Sequence, residues 1–162
     1  LAAACAMTEA AVPERAPRRP LYDAFLVLLA SLLAGDADWP NVYARWELGL
    51  LAELGFGLDL SRCAATGAVE GLTHVSPKTG RAVSAAAARP YADRLFRLPG
   101  FFINQPGGDA AEAALRDGFA LTGFFLERYV FSPHGQKMPA ARTRLIERFS
   151  RSATTSGVDK GP

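Results

Sequence analysis

Apolar residues recur along most of this chain at intervals of three and four, the spacing of one helix face. Residues 1–12, LAAACAMTEAAV, favour helix by propensity. Pro13, Pro17 and Pro20 then bracket a turn carrying Arg15, Arg18 and Arg19. Proline at that density predicts a loop, and its charges read as a solvated connector. Pro20 opens a second helix to about Ala34, with Leu21, Phe25, Leu28, Leu29 and Leu32 on its core face. Gly35-Asp36-Ala37-Asp38 ends it. Pro40 suits the first turn of a third helix, and Gly55 supplies its stop. Two helices joined by so short a loop are expected to pack antiparallel.

The third helix is the densest apolar stretch. Asn41, Arg45, Gly49 and Glu53, with Ala52, form a polar stripe, while Val42, Tyr43, Trp46, Leu48, Leu50, Leu51 and Leu54 cover most of the rest. Such a helix is expected to have other helices around it. Glu47 falls inside the apolar arc. Either it reaches water at the rim, or it is buried and needs a cation or hydrogen-bond donor.

After Gly55 the character changes. Glycines recur at 57, 67, 71 and 80. Leu72–Val75 reads as a short strand, Ser76-Pro77-Lys78-Thr79-Gly80 as a turn, and Arg81–Ser84 as the return strand. Ser84–Arg89 is alanine-rich and predicts a short helix. Leu95–Pro106 reads as a loop packed on the core by Phe96, Leu98, Phe101 and Phe102. Asp109, with Glu112 three residues on, can cap a long helix to about Phe131. Ser132–Gly135 breaks it, and Pro139 restarts a helix to about Phe149. The tail, low in hydrophobics, is expected to be disordered.

The 162 residues suffice for one domain with a sizeable core, and their 49% hydrophobic and 21% charged content is ordinary. A net charge of +2 supports no global electrostatic argument, so any nucleic-acid site must be a local cluster. The two cysteines, Cys5 and Cys63, make no disulfide framework, which points to a reducing cytoplasm. No apolar run reaches the length of a membrane span, and residues 1–12 do not read as a secretory leader. Beginning at Leu1 inside a helix-like stretch, the sequence is expected to be part of a longer protein.

Catalysis finds little support. His74 and His134 lie in turn-like segments with no obvious nucleophile or carboxylate partner. There is no Walker-type phosphate loop, and Gly107-Gly108 is an ordinary loop dipeptide. The local cluster that does exist is Arg128, Lys137, Arg142, Arg144, Arg148 and Arg151, against Glu127 and Glu147. Arg144, Arg148 and Arg151 share a helix face. They form either a solvated face or a stripe for phosphates or an acidic peptide.

Trp46-Glu47-Leu48, Leu54-Gly55-Phe56 and Cys63-Ala64-Ala65-Thr66-Gly67 together resemble the C-terminal region of the bacterial recombination mediator RecO family. The likeness continues through Val75-Ser76-Pro77, Gly80-Arg81-Ala82-Val83 and Lys137-Met138-Pro139-Ala140-Ala141-Arg142, covering most of residues 20–149. It implies a mainly α helical bundle (1–58 and 96–150), a small β-hairpin, zinc-finger-like insertion (59–95) and a tail (151–162). The family's N-terminal OB-fold barrel has no counterpart in these residues. It further implies a non-enzymatic role in DNA repair: binding single-stranded DNA and the acidic C-terminal tail of the single-stranded DNA-binding protein, working with RecR, annealing strands and loading recombinase. Cytoplasmic, nucleoid-associated localisation goes with that role.

Some members carry two C-x-x-C knuckles, the ligand set tetrahedral zinc requires. Here Cys63 stands without the others: Thr66, Ser84 and Ala87 occupy about the remaining positions, and His74 leaves two ligands missing. No metal or other cofactor is expected, and Cys63 reads as a small buried hydrophobe. The resemblance marks Lys137, Arg142, Arg144, Arg148 and Arg151 as candidates for DNA or acidic-tail binding, and Glu47, Arg142, Trp46 and Cys63 as structural. Arg142 is also the expected partner of Glu47. The rival reading is a small-molecule-binding helical sensor domain of a transcription regulator, which an apolar pocket within the helices would favour.

Overall fold

The computed structural model describes residues 1–14, 17–105 and 110–155, apart from the side chains of 152–155. Helix α1 (Ala2–Ala11) buries Ala3, Ala4 and Met7. Helix α2 (Arg19–Leu33) buries only Leu21 and Leu28, leaving Tyr22, Leu26, Val27 and Leu33 exposed. Arg18, at the start of α2, donates through Nη1 to the Glu53 carbonyl. Helix α3 (Trp39–Glu53) packs along α2, with Phe25 edge-on to Trp46 at 6.3 Å. The stop at Gly55 is built as its sequence predicts. Gly55 takes φ +89°, its N–H bonds to Ala52 at 3.0 Å, and the Phe56 N–H reaches back to Leu51 at 2.8 Å. These are the paired bonds of a Schellman stop, and its left-handed residue is strained for any side chain.

The hairpin follows. Strand β1 (Leu72–Val75) pairs antiparallel with β2 (Ala82–Ser84), with a bulge between Leu72 and His74. Ser84 leads into α4 (Ala85–Ala88) and a 3-10 turn at Arg89–Arg94. Strand β3 (Phe96–Arg97), in a stretch expected to be loop, pairs with β1 and completes the sheet order β2-β1-β3. Its apolar residue explains the placement: Phe96 packs 4.9 Å from Phe124 and so brings the chain beside β1. Burial and the charge of Arg97, opposite in register, hold the His74 imidazole below its usual pKa.

Helix α5 (Ala111–Leu126) continues as a π turn at Glu127–Phe131, so the long helix expected from Asp109 is one apolar run of two pitches. The capping role expected of Asp109 lies outside the described residues. Helix α6 (Ala140–Thr155) runs past the expected end at Phe149, so residues 151–155, expected to be tail, are helical; 156–162 lie outside the described residues. Phe149 lies 5.4 Å from Trp39 and 5.8 Å from Phe119, which seats α6 on α3 and α5. The fold is mainly α with a small β insertion. Among the described residues no helix is long and apolar enough to cross a membrane.

Candidate functional site: a buried clamp and the basic helix it holds

Glu47 is fully buried and Arg142 is 5% exposed. The guanidinium meets the carboxylate side-on: Arg142 Nε donates to Glu47 Oε1 at 2.6 Å, and Nη2 to Oε2 at 2.9 Å. Such bidentate, charge-assisted geometry is the strong form of this contact. Thr122 on α5 donates its hydroxyl to Glu47 Oε2 at 2.5 Å, while Arg142 Nη2 also reaches the Phe119 carbonyl at 3.1 Å. The clamp thus ties α3, α5 and α6 together through one carboxylate. Burial alone would lower the Arg142 pKa; the charge of Glu47 and the hydrogen bond to it outweigh that and raise it. Tyr43 lies beside the pair, its phenol held neutral by burial and by the negative charge of Glu47.

Gly123 makes room for this arrangement. A Cβ there would sit 3.0 Å from Arg142 Nη1 and 3.1 Å from Nη2, whereas Gly49, also mid-helix, would meet nothing within 4 Å. Alanine usually gains about 1 kcal/mol over glycine in a helix. Crowding a pinned group costs about 1–3 kcal/mol. Gly49→Ala is therefore expected to raise the melting temperature and Gly123→Ala to lower it. Parallel thermal melts decide the matter, and equal stabilisation by both would mean the guanidinium yields freely.

Arg142 was expected both to pair with Glu47 and to contact DNA or an acidic tail. Its burial leaves it no access to a phosphate, so it belongs to the clamp alone. Lys137, Arg144, Arg148 and Arg151 are exposed. Glu147 lies 3.8 Å from Arg151 and takes up part of its charge. Arg144 and Arg148 rim a cavity of about 180 Å³ whose lining includes Ala2, Ala3, Ala141 and Leu145, at the contact of α1 with α6. This apolar floor under two cations was not visible in the sequence, because α1 lies far from α6 along the chain. Thr122 was missed too. A threonine in the middle of a helix carries no signal until its carboxylate partner is in place.

Trp46 and Cys63 are both buried. The residues present do not fit tetrahedral zinc. Among the described residues no three His, Cys, Asp or Glu side chains converge, and the Cys63 sulfur instead accepts the Ser84 N–H at 3.2 Å. Burial pushes the thiol up, but hydrogen bonds from Ser84 and Thr66 bring it down to about 6. The knuckle is held to the hairpin by backbone bonds, from the Ala64 N–H to Ala82 at 2.8 Å and from the Ala82 N–H to Asp59 at 2.9 Å.

The chain is thus a mainly helical domain with a small β insertion, its helices tied by a buried ion pair. The family model described as "Recombination protein O C terminal" matches residues 1–138, and the chain belongs to that family. DNA repair protein RecO of Rhodospirillum centenum is 48% identical over 164 residues, covering 100% of this chain and 64% of that protein. The RecO proteins of Rhodospirillum rubrum (47% identical; 93% of this chain, 62% of that protein) and Cereibacter sphaeroides (49%; 94% and 63%) are similar. The chain thus spans a little under two thirds of the length of these relatives. No solved structure matches it.

Proposed function

We propose that this chain is the helical part of a DNA repair and recombination mediator that works by binding rather than by catalysis. Lys137, Arg144, Arg148 and Arg151 contact single-stranded DNA. The cavity rimmed by Arg144 and Arg148 takes the acidic C-terminal tail of the single-stranded DNA-binding protein. Its apolar floor suits an aromatic end group, and its rim suits the carboxylates before it. That combination is the observation that carries the reading. RecR partnership, strand annealing and recombinase loading follow from the family resemblance, and none of these steps needs a nucleophile or a metal.

The test titrates the chain with a fluorescent acidic peptide ending in Asp-Phe and with single-stranded DNA at two salt concentrations. The double variant Arg144→Glu/Arg148→Glu is expected to weaken the peptide tenfold or more. It should also flatten the salt dependence of DNA binding by about 0.7 in log–log slope for each phosphate that is no longer neutralised. Binding to neither ligand by the folded parent chain would sink the proposal.

An open apolar groove of about 470 Å³, lined among others by Cys5, Leu21, Tyr22 and Phe25, is what a small-molecule sensor would use. It lies on the surface between α1 and α2 rather than inside the bundle, so the binding-mediator reading is preferred.

A further inference from the structure

We propose that Phe56 is a base-stacking post for single-stranded nucleic acid, a site separate from the basic face of α6. The inference rests on the proposal that the chain binds single-stranded DNA.

Phe56, Tyr129 and Phe125 form a column of near-parallel rings. Phe56 stacks on Tyr129 at 5.5 Å and 20°, and Tyr129 on Phe125 at 6.0 Å and 11°. Phe125 is buried, while Phe56 is 39% exposed. The column therefore begins in the core and ends on a ring that solvent reaches. The post is rigid at its base, because the Schellman stop anchors the Phe56 backbone and the π turn carries Tyr129. An exposed ring that keeps its place binds planar partners without first having to be ordered.

Two clefts meet at this ring. One, of about 130 Å³, also involves Leu58, Thr79 and Tyr129; the other, of about 440 Å³, involves Leu54, Arg18, Val130 and His134. Arg18 lines the larger cleft, and two cations lie close to residues of the smaller one. The Arg128 guanidinium lies 5.8 Å from the Phe124 centroid and 5.6 Å from that of Tyr129, and exposed Lys78 adjoins Thr79. In the larger cleft Arg18 supplies the guanidinium, tethered through Nη1 to the Glu53 carbonyl. Glu127 is the acid beside Arg128, and its carboxylate takes a hydrogen bond from Ser132 at 3.2 Å. Ring faces for bases and cations for phosphates occur together in sequence-tolerant single-strand sites. A purely apolar partner would leave the cations unused, and a duplex would not present base faces.

The test uses the full chain and a short thymidine strand carrying one 2-aminopurine, whose fluorescence falls on stacking. Quenching is expected on binding the parent chain. Phe56→Leu keeps the apolar bulk without the ring. It should remove the quench and weaken binding roughly tenfold, with the salt slope unchanged. Phe56→Trp should retain both. Circular dichroism confirms that each variant is folded. If Phe56→Leu binds like the parent, or still quenches, the stacking post is wrong. If the strand binds with full salt dependence but without quenching, the post falls while the basic face of α6 stands. No binding by the parent overturns both. A dimer of the parent that Phe56→Leu disperses would assign the ring to a second copy and also overturn the post.

Discussion

Glu47→Gln is expected to lower the melting temperature by roughly 6–20 °C. Breaking a buried ion pair from one side costs about 3–5 kcal/mol, and a chain of this size loses about 2–4 °C per kcal/mol. Glutamine keeps the shape of glutamate, so the loss reflects charge and hydrogen bonding rather than packing. Its amide can still accept one Arg142 N–H. Where Oε2 stood it presents a donor, facing Arg142 Nη2 and the Thr122 hydroxyl that now lie 2.9 and 2.5 Å from that oxygen. Arg142 keeps its charge in a buried site, where the guanidinium cannot discard its proton. The double variant Glu47→Leu/Arg142→Met should recover much of the stability, because a buried pair exchanged for apolar residues of similar volume is often neutral. A single variant melting within a degree of the parent would show that Glu47 and Arg142 do not clamp the helices.

Phe119→Ala is expected to cost about 3–5 kcal/mol in urea unfolding, with the denaturant slope unchanged. Phe119, on α5, is 3% exposed, and its ring reaches two other helices. On α3 it meets Tyr43 edge-on at 6.0 Å, on α6 it lies 5.8 Å from Phe149, and its own carbonyl on α5 accepts from Arg142 at 3.1 Å. Removing it opens a cavity beside the clamp, and collapse is resisted because Tyr43 and Arg142 are themselves held. A loss under about 1 kcal/mol would mean that the three helices can close the gap, and that their mutual position is not set by this ring.

The two variants share partners, so their effects should not add. Both act on the contact of α6 with α3 and α5. With either change in place, less of that contact remains for the other to remove. If they add within a few tenths of a kcal/mol, the clamp and the aromatic junction are independent supports for α6.

How much of the site was legible in the sequence depends on how local each signal is. The stop at Gly55, the hairpin turn and the apolar face of α2 are written in residues a few positions apart, and they form where expected. Glu47 was conspicuous for the same reason, as a carboxylate inside an apolar arc. Its partner Arg142 lies 95 residues away, and the family pattern rather than the spacing pointed to it. The run of basic residues in this segment grouped Arg142 with the phosphate-binding candidates, because charge is visible in sequence while burial is not.

Sequence alone determined the mainly helical class, the position of the hairpin insertion and the shortage of zinc ligands. The first two follow from residue type and short-range periodicity, and the third from comparing Cys63 and its surroundings with the family's knuckles. Only the tertiary structure decided which arginines face water, that Thr122 and Gly123 complete and accommodate the clamp, and that Phe56 ends a stacked column between two clefts. Those features depend on side chains meeting across elements that are distant in the chain. Such meetings are settled by how the helices pack, and a periodicity of three and four residues carries no record of them.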